Sequence, residues 1–101
     1  MTTKITNYAK AIGKRGDHEY YRWRVFVDES QEVLSQIKSV EYLLHPTFAE
    51  PLQVRDDPAD KFSLETIGWG VFIIAIRVTF KDGRKEDLRY GLDFGKGWPD
   101  T

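Results

Sequence analysis

Two short segments carry residue types that could recognise a small polar ligand, Leu44–Phe48 (LHPTF) and Gly68–Phe72 (GWGVF). Each places aromatic rings beside small or hydroxyl-bearing residues. Rings can stack on a flat polar group, while hydroxyl and backbone groups hydrogen-bond to it. The same residues also fit a structural role, with Phe48 and Phe72 in the core and His45 as a hydrogen-bonded buried imidazole. From the residue types alone, the structural interpretation is favoured.

The sequence offers little catalytic or metal-binding machinery. It has no cysteine and two histidines, His18 and His45, and no nucleophile-elbow motif surrounds any serine. Asp56, Asp57 and Asp60 are clustered carboxylates, but they lack the glycine and distal glutamate of a calcium loop. We interpret them as a solvated acidic loop, and we predict no catalytic residue, no metal site and no cofactor.

Length and charge narrow the class of protein further. A chain of 101 residues predicts one domain. Its net charge of −1 argues against nucleic-acid binding, which usually requires a strongly basic surface. No apolar run approaches the roughly 18 residues of a membrane span, and the start of the chain leads into no signal-peptide core. The sequence therefore predicts a soluble cytoplasmic domain that binds neither nucleic acid nor membrane.

Alternating apolar residues predict several β-strands. From Phe72 to Phe80, five apolar side chains recur at every second position, which is typical of one buried sheet face. In Tyr20–Val27, aromatic and β-branched residues alternate with arginines, as in a sheet with one wet face. The predicted strands are Thr6–Ile12 at an edge, Tyr20–Val27, Phe72–Phe80 and Lys85–Leu92, with turns at Gly13–Asp17 and Asp82-Gly83.

The stretch Ser30–Leu44 fits two structures. Its apolar residues have approximately helical spacing, and Asp28 with Gln31 could form a capping box. As a strand, the stretch would place Val40 and Tyr42 on one face and Ile37 on the other. The pattern leaves both alternatives open.

The remaining segments are predicted to be loops, giving an immunoglobulin-like antiparallel β-sandwich. Pro46 and Pro51 break the chain into a loop that continues through the acidic stretch to Asp60. Several strands between turns, with at most one helix, are typical of two packed sheets. We expect a single domain with a core of about residues 6–94 and a loose tail over 95–101, although Trp98 could pack back on the body.

Four motifs follow one another along the chain: Trp23–Val27 (WRVFV), Leu44–Phe48, Asp57-Pro58 and Gly68–Phe72. Their order and spacing resemble the YEATS family, and its prokaryotic branch in particular. The similarity extends from about Tyr20 to Phe94, over most of the chain. Between Pro58 and Gly68 the chain carries about two residues more than the family's reader pattern.

The resemblance implies the YEATS β-sandwich, with Ile37–Leu44 as a strand and a binding pocket at one end. Phe48 and Trp69 would sandwich the flat amide of an acetylated or crotonylated lysine. Thr47 would offer its hydroxyl, supported by His45, and the Trp69 backbone N–H would donate to the acyl carbonyl. The site residues implied in this way are His45, Thr47, Phe48, Gly68, Trp69, Gly70 and Phe72.

Two kinds of partner remain open. The first is an acylated-lysine peptide held in the pocket. The second is another protein that uses a different surface, such as a free sheet edge or Trp98, with the module acting as an adaptor in a signalling or defence system. The sequence leaves the oligomeric state and the acyl preference undetermined.

Overall fold

The computed structural model describes residues 2–98 and contains seven β-strands and one short α-helix. The strands form a three-stranded sheet and a four-stranded sheet, and every strand pair is antiparallel. This architecture confirms the predicted antiparallel β-sandwich. In chain order the segments are β1 (Ile5–Arg15), β2 (His18–Val27), α1 (Gln31–Leu34), β3 (Ile37–Leu43), β4 (Leu52–Arg55), a 3₁₀ turn (Pro58–Asp60), β5 (Leu64–Gly68), β6 (Ile73–Phe80) and β7 (Lys85–Gly91).

The inward faces of both sheets form one buried core. The strand order is β1-β2-β5 in the smaller sheet and β4-β3-β6-β7 in the larger sheet. Alternate residues of the central strands β2 and β6 point into the core, because successive side chains of a strand lie on opposite faces. This confirms the alternation predicted for both strands. The core positions are Trp23, Val25 and Val27 from β2 and Ile74, Ile76 and Val78 from β6. Phe26 is also buried, but on the opposite face of β2, where its ring centroid lies 5.0 Å from that of Tyr8.

The ambiguous stretch contains both a helix and a strand. Ser30, in an extended conformation, caps α1 by accepting a hydrogen bond from the Val33 N–H at 3.3 Å. The predicted cap at Asp28 is therefore wrong. Ile37 is buried beside Val40, contrary to the face predicted for it, because a register shift between Ile37 and Ser39 inserts a bulge into β3.

Three loop and turn predictions are also corrected. β4 and β5 lie in segments predicted to be loops, and each is a short edge strand. Their structure depends on pairing with β3 and β2, which local periodicity does not report. β1 continues to Arg15, so the turn is confined to Gly16 and Asp17, where Gly16 has a positive φ of 61°.

The segment after β7 lies along the outer edge of β1. The Ala9 N–H donates to the Lys96 carbonyl at 2.8 Å, and Gly97 forms a parallel bridge with Ala9. The Trp98 ring packs 6.4 Å from the Tyr8 ring, in agreement with the alternative stated for Trp98. Residues 95–98 thus cover a strand edge, and Pro99 lies outside the described residues.

Candidate functional site

The two segments singled out in the sequence meet at one end of the sandwich. One follows β3 and forms a turn in which the Phe48 N–H donates to the His45 carbonyl at 3.0 Å. The other connects the end of β5 to the start of β6. Together they line an open cleft of about 520 Å³. All seven predicted residues are among its lining: His45, Thr47, Phe48, Gly68, Trp69, Gly70 and Phe72.

The inner wall of the cleft is a cluster of packed aromatic rings. The centroid of Phe72 lies 5.8 Å from that of Phe48 and 6.1 Å from that of Trp23, which is fully buried. His45 packs edge-on against Phe72 at 6.0 Å. Tilted and edge-on arrangements at these distances are favourable for aromatic pairs. Phe48 and Phe72 therefore have both roles considered for them, because they pack against the core and also face the cleft.

The outer wall is the indole of Trp69, a residue that is 54% exposed. One face of the indole is stacked on the His18 imidazole, with ring centroids 3.8 Å apart and an interplanar angle of 16°. His18 comes from the tip of the β1–β2 hairpin and does not line the cleft. Within residues 2–98, Phe48 and Trp69 form no ring contact with each other, so their own packing does not close the space between them.

Hydrogen bonds within a short turn determine whether the Thr47 hydroxyl acts as a donor or as an acceptor. The Thr47 backbone N–H donates to His45 Nδ1 at 3.2 Å, so Nδ1 is an acceptor and the ring proton is on Nε2. Thr47 Oγ1 lies 3.0 Å from the same nitrogen, and with this tautomer the hydroxyl shares the Nδ1 lone pair as a second donor. The oxygen lone pairs then remain available as an acceptor at the edge of the cleft.

Two glycines leave room around Trp69. A methyl group added at Gly68 would lie 3.6 Å from Trp23 Nε1 and 3.7 Å from Phe48 Cζ, whereas one at Gly70 would meet open space. The Trp23 indole N–H is buried and has no hydrogen-bond partner among the described protein atoms. Gly68 thus keeps the base of the cleft clear between Phe48 and the indole of Trp23.

Four further residues line the cleft, and the sequence prediction did not include them: Tyr20, Ala49, Ile67 and Val71. The guanidinium of Arg15 lies over the Tyr20 ring, 5.9 Å from its centroid. Tyr20 and Tyr21 are adjacent aromatic residues at the start of the predicted strand Tyr20–Val27. Only Tyr20 lines the cleft, whereas the Tyr21 ring stacks on the Phe94 ring, with centroids 4.3 Å apart.

The acidic loop has local structural roles. Asp57 caps the 3₁₀ turn by accepting from the Ala59 N–H at 2.9 Å, and Asp60 accepts from the Ser63 N–H at 3.3 Å. Over residues 2–98, no three histidine or carboxylate side chains group closely enough to hold a metal ion. In the same range, no helix is long and apolar enough to cross a membrane.

Comparison with known proteins shows which family and which fold the chain matches. The family model of the prokaryotic YEATS domain matches residues 21–93. The protein AF-9 homolog of Saccharomyces cerevisiae is 36% identical over 89 residues, covering 86% of this chain and 38% of the relative. That of Eremothecium gossypii is 34% identical over 70 residues, covering 67% of this chain and 33% of the relative. The chain thus spans about a third of the length of the curated relatives it matches.

Solved structures superpose closely on this chain. A structure of the Yaf9 YEATS domain recognizing an H3K122suc peptide has a TM-score of 0.73 and 26% sequence identity. The superposition covers 93% of this chain and 78% of the Yaf9 chain. A second, of the Yaf9 YEATS domain bound to H3K27ac, has a TM-score of 0.70, 25% identity and coverage of 93% and 76%.

Proposed function

This chain belongs to the prokaryotic YEATS domain family, and from that premise we propose that it is a binding module for an acylated lysine side chain. The proposal is carried by one observation, the cleft that brings all seven motif residues together with Phe48 and Trp69 on its walls. Related domains in solved structures bind acylated histone peptides. The module acts by recognition and not by catalysis.

The chemistry of a secondary amide matches the groups that surround this cleft. An acylated lysine has one N–H donor, one carbonyl acceptor and a flat face. Its N–H would donate to Thr47 Oγ1, which is an acceptor because its own proton is given to His45. The backbone N–H of Trp69 would donate to the acyl carbonyl. Stacking between Phe48 and Trp69 would add about 0.5–1.5 kcal/mol per ring pair beyond the apolar area buried.

An unmodified lysine is a poorer fit for the same groups. Its ammonium has three donors and no acceptor, so the Trp69 N–H would lose water without gaining a partner, at a cost of about 1–3 kcal/mol. Cation–π attraction to Trp69 would return about 0.5–2 kcal/mol. The expected discrimination is therefore modest. Gly70 leaves open space where a longer acyl chain, such as crotonyl, would extend.

The test is a titration of ¹⁵N-labelled protein with acetylated, crotonylated and unmodified lysine peptides. We expect saturable shifts at Thr47, Trp69 and Gly70 with acylated peptides only. The absence of any shift at millimolar peptide would mean binding weaker than about −4 kcal/mol and would reject the acyl-lysine proposal.

An adaptor function is the second candidate, and an exposed apolar surface favours it. On the outer face of the larger sheet, Leu43 lies directly opposite Leu52, and both are about half exposed. Val54 and Ile73 on neighbouring strands are also exposed. Such clusters commonly mark protein-binding surfaces. A protein partner captured equally by the wild type and by Trp69→Ala, and lost with Leu43→Ser, would favour this function.

The cellular location proposed for the module is the cytoplasm. The absence of cysteine suits that compartment, in which disulfides are rare. The expected natural ligand is a peptide segment that carries one neutral, acylated lysine side chain.

A further inference from the structure

Phe48 and Trp69, which form two walls of the cleft, differ in how well packing fixes their side chains. Phe48 packs against Phe72 and the hydrophobic core. Trp69 lies beyond the end of β5 between Gly68 and Gly70, neither of which has a side chain to anchor the segment. Its indole is more than half exposed. Trp69 therefore needs another contact if it is to present a fixed surface to a ligand.

His18 supplies that contact from the opposite side. Its imidazole is stacked on the indole at 3.8 Å, and this is the one aromatic pairing of Trp69 within residues 2–98. Trp69 lines the cleft and His18 does not, which is the arrangement expected if the imidazole covers the indole face turned away from the cleft. In the same range the His18 side chain takes part in no hydrogen bond or ion pair, so stacking is its one specific side-chain interaction.

The β1–β2 hairpin fixes the position of His18. Arg15 and His18 are register partners that flank the Gly16-Asp17 turn, and the positive φ of Gly16 permits a turn this short. Two residues further along β2, Tyr20 lines the cleft itself. The hairpin is thus a third structural component of the site, beside the segments that follow β3 and β5.

We propose that His18 is a positioning residue that holds the Trp69 indole as the outer wall of the cleft. Without it, the exposed indole would sample several rotamers, and ligand binding would have to immobilise it at an entropic cost. The effect on affinity rests on the proposed function. The effect on the indole is a property of the ligand-free protein and can be measured separately.

The experiment compares the wild type with His18→Ala, His18→Phe and the control Lys14→Ala, which removes an exposed side chain from the same hairpin. In ligand-free protein, Trp69 side-chain couplings and ring NOEs report whether the indole occupies one rotamer. Affinity for a crotonyl-lysine peptide is then measured for each variant. We expect His18→Ala to average the Trp69 rotamers and weaken binding about three- to tenfold, a range consistent with the loss of one ring stack.

His18→Phe should restore both the single rotamer and the affinity, because a flat ring can stack without the imidazole nitrogens. Lys14→Ala should change neither. An indole that stays fixed in His18→Ala would overturn the proposal, even if binding weakened, because His18 would then act by direct contact. If the wild type binds no acylated peptide, the proposed function fails, and the Trp69 rotamers alone decide the role of His18.

Discussion

Trp69 and Phe48 are chemically alike but differ in what they contribute to the folded protein. Phe48 is partly buried and packs on the core, whereas Trp69 is exposed and contacts mainly another exposed ring. A substitution at Phe48 would therefore change stability and binding together. A substitution at Trp69 is expected to change binding without changing stability, so Trp69 is the better position at which to test the site.

Trp69→Ala should abolish the detectable binding of acylated peptides and leave the fold intact. Removing an exposed side chain typically changes the free energy of unfolding by about 0.5 kcal/mol or less. Binding would lose the stacking surface, and Trp69→Phe should recover part of it. Peptide titration and thermal melting on the same samples check both statements. A large loss of stability in Trp69→Ala would show that Trp69 supports the fold and would remove it from the site.

Gly68→Ala tests the space at the base of the cleft. The added methyl group would meet Trp23 Nε1 and Phe48 Cζ at ordinary contact distances of 3.6 and 3.7 Å, so the fold should tolerate it. The same methyl group would occupy room beside the Phe48 ring, and acyl-lysine affinity should fall severalfold. Gly91→Ala, at the end of β7 and outside the cleft, is the matched control, because its methyl group also meets open space. Equal affinities for the two variants would mean that the acyl group does not reach Gly68.

The loop between β4 and β5 is stabilised by one buried tyrosine. Lys61 and Phe62 both have positive φ values, 62° and 56°, which side chains other than glycine rarely adopt. Tyr42 of β3 is fully buried and its hydroxyl donates to the Phe62 carbonyl at 2.7 Å. This bond connects the larger sheet to the loop that leads into β5, and β5 ends directly before Trp69.

Tyr42→Phe should destabilise the protein by about 1–3 kcal/mol, because the Phe62 carbonyl would lose its buried hydrogen-bond partner. Chemical denaturation measures the change, and Tyr8→Phe is a control at a tyrosine outside this loop. An unchanged midpoint in Tyr42→Phe would show that the bond contributes nothing net to the strained loop.

Tyr42 also predicts how stability responds to alkaline pH. Burial raises the pKa of Tyr42 above its ordinary value. In the unfolded chain a tyrosine loses its proton near pH 10, so above about pH 10 the unfolded state binds fewer protons than the folded state. Stability is therefore fully present below pH 10 and falls as the pH rises further. The decline should be steeper in the wild type than in Tyr42→Phe, as measured by denaturation between pH 8 and about pH 11. An equal loss of stability with rising pH in the wild type and in Tyr42→Phe would contradict a raised pKa for Tyr42.

The two sheets and the C-terminal segment are joined by a buried polar network. Asn7 of β1 is fully buried, and its side-chain amide donates to the Asp93 carbonyl at 2.9 Å. Its carbonyl oxygen accepts from the Tyr90 hydroxyl and from the Asp93 N–H. Tyr90 belongs to β7, so one side chain connects opposite sheets of the sandwich. The network also brings the chain towards the β1 edge, which residues 96–97 then cover.

Asn7→Ala should lower the melting temperature strongly. The substitution removes three partly buried hydrogen bonds. A partner group left unsatisfied costs about 1–3 kcal/mol where water cannot replace the bond. A loss of 1 kcal/mol corresponds to roughly 4–8 °C for a domain of this size. Gln36→Ala, at an exposed position outside the strands, is the control in the same melting experiment. A melting temperature within 2–3 °C of the wild type would show that the network is replaced by water at little cost, since that shift is below the roughly 4 °C expected for 1 kcal/mol.

The amino-acid sequence by itself determined the class of fold and the segments that form the cleft. The alternation in β2 and β6 predicts buried strands because side chains on successive residues point to opposite faces. The four motifs, in their order, predict the YEATS sandwich and identify the seven residues from His45 to Phe72 that line one cleft. The strands follow from local periodicity, whereas the cleft residues follow from the resemblance of the motifs to the YEATS family.

Only the tertiary structure decided how distant residues meet. β4 and β5 are strands because β3 and β2 pair with them, and with four and five residues they are too short for alternation alone to identify, even in Leu52–Arg55 where it is present. Tyr20, and not Tyr21, faces the cleft, since Tyr21 is engaged by Phe94. The stack of His18 on Trp69 joins residues about fifty positions apart, and no local pattern specifies such a contact. Contacts of this kind form when the sheets pack, because packing sets which side chains share a surface.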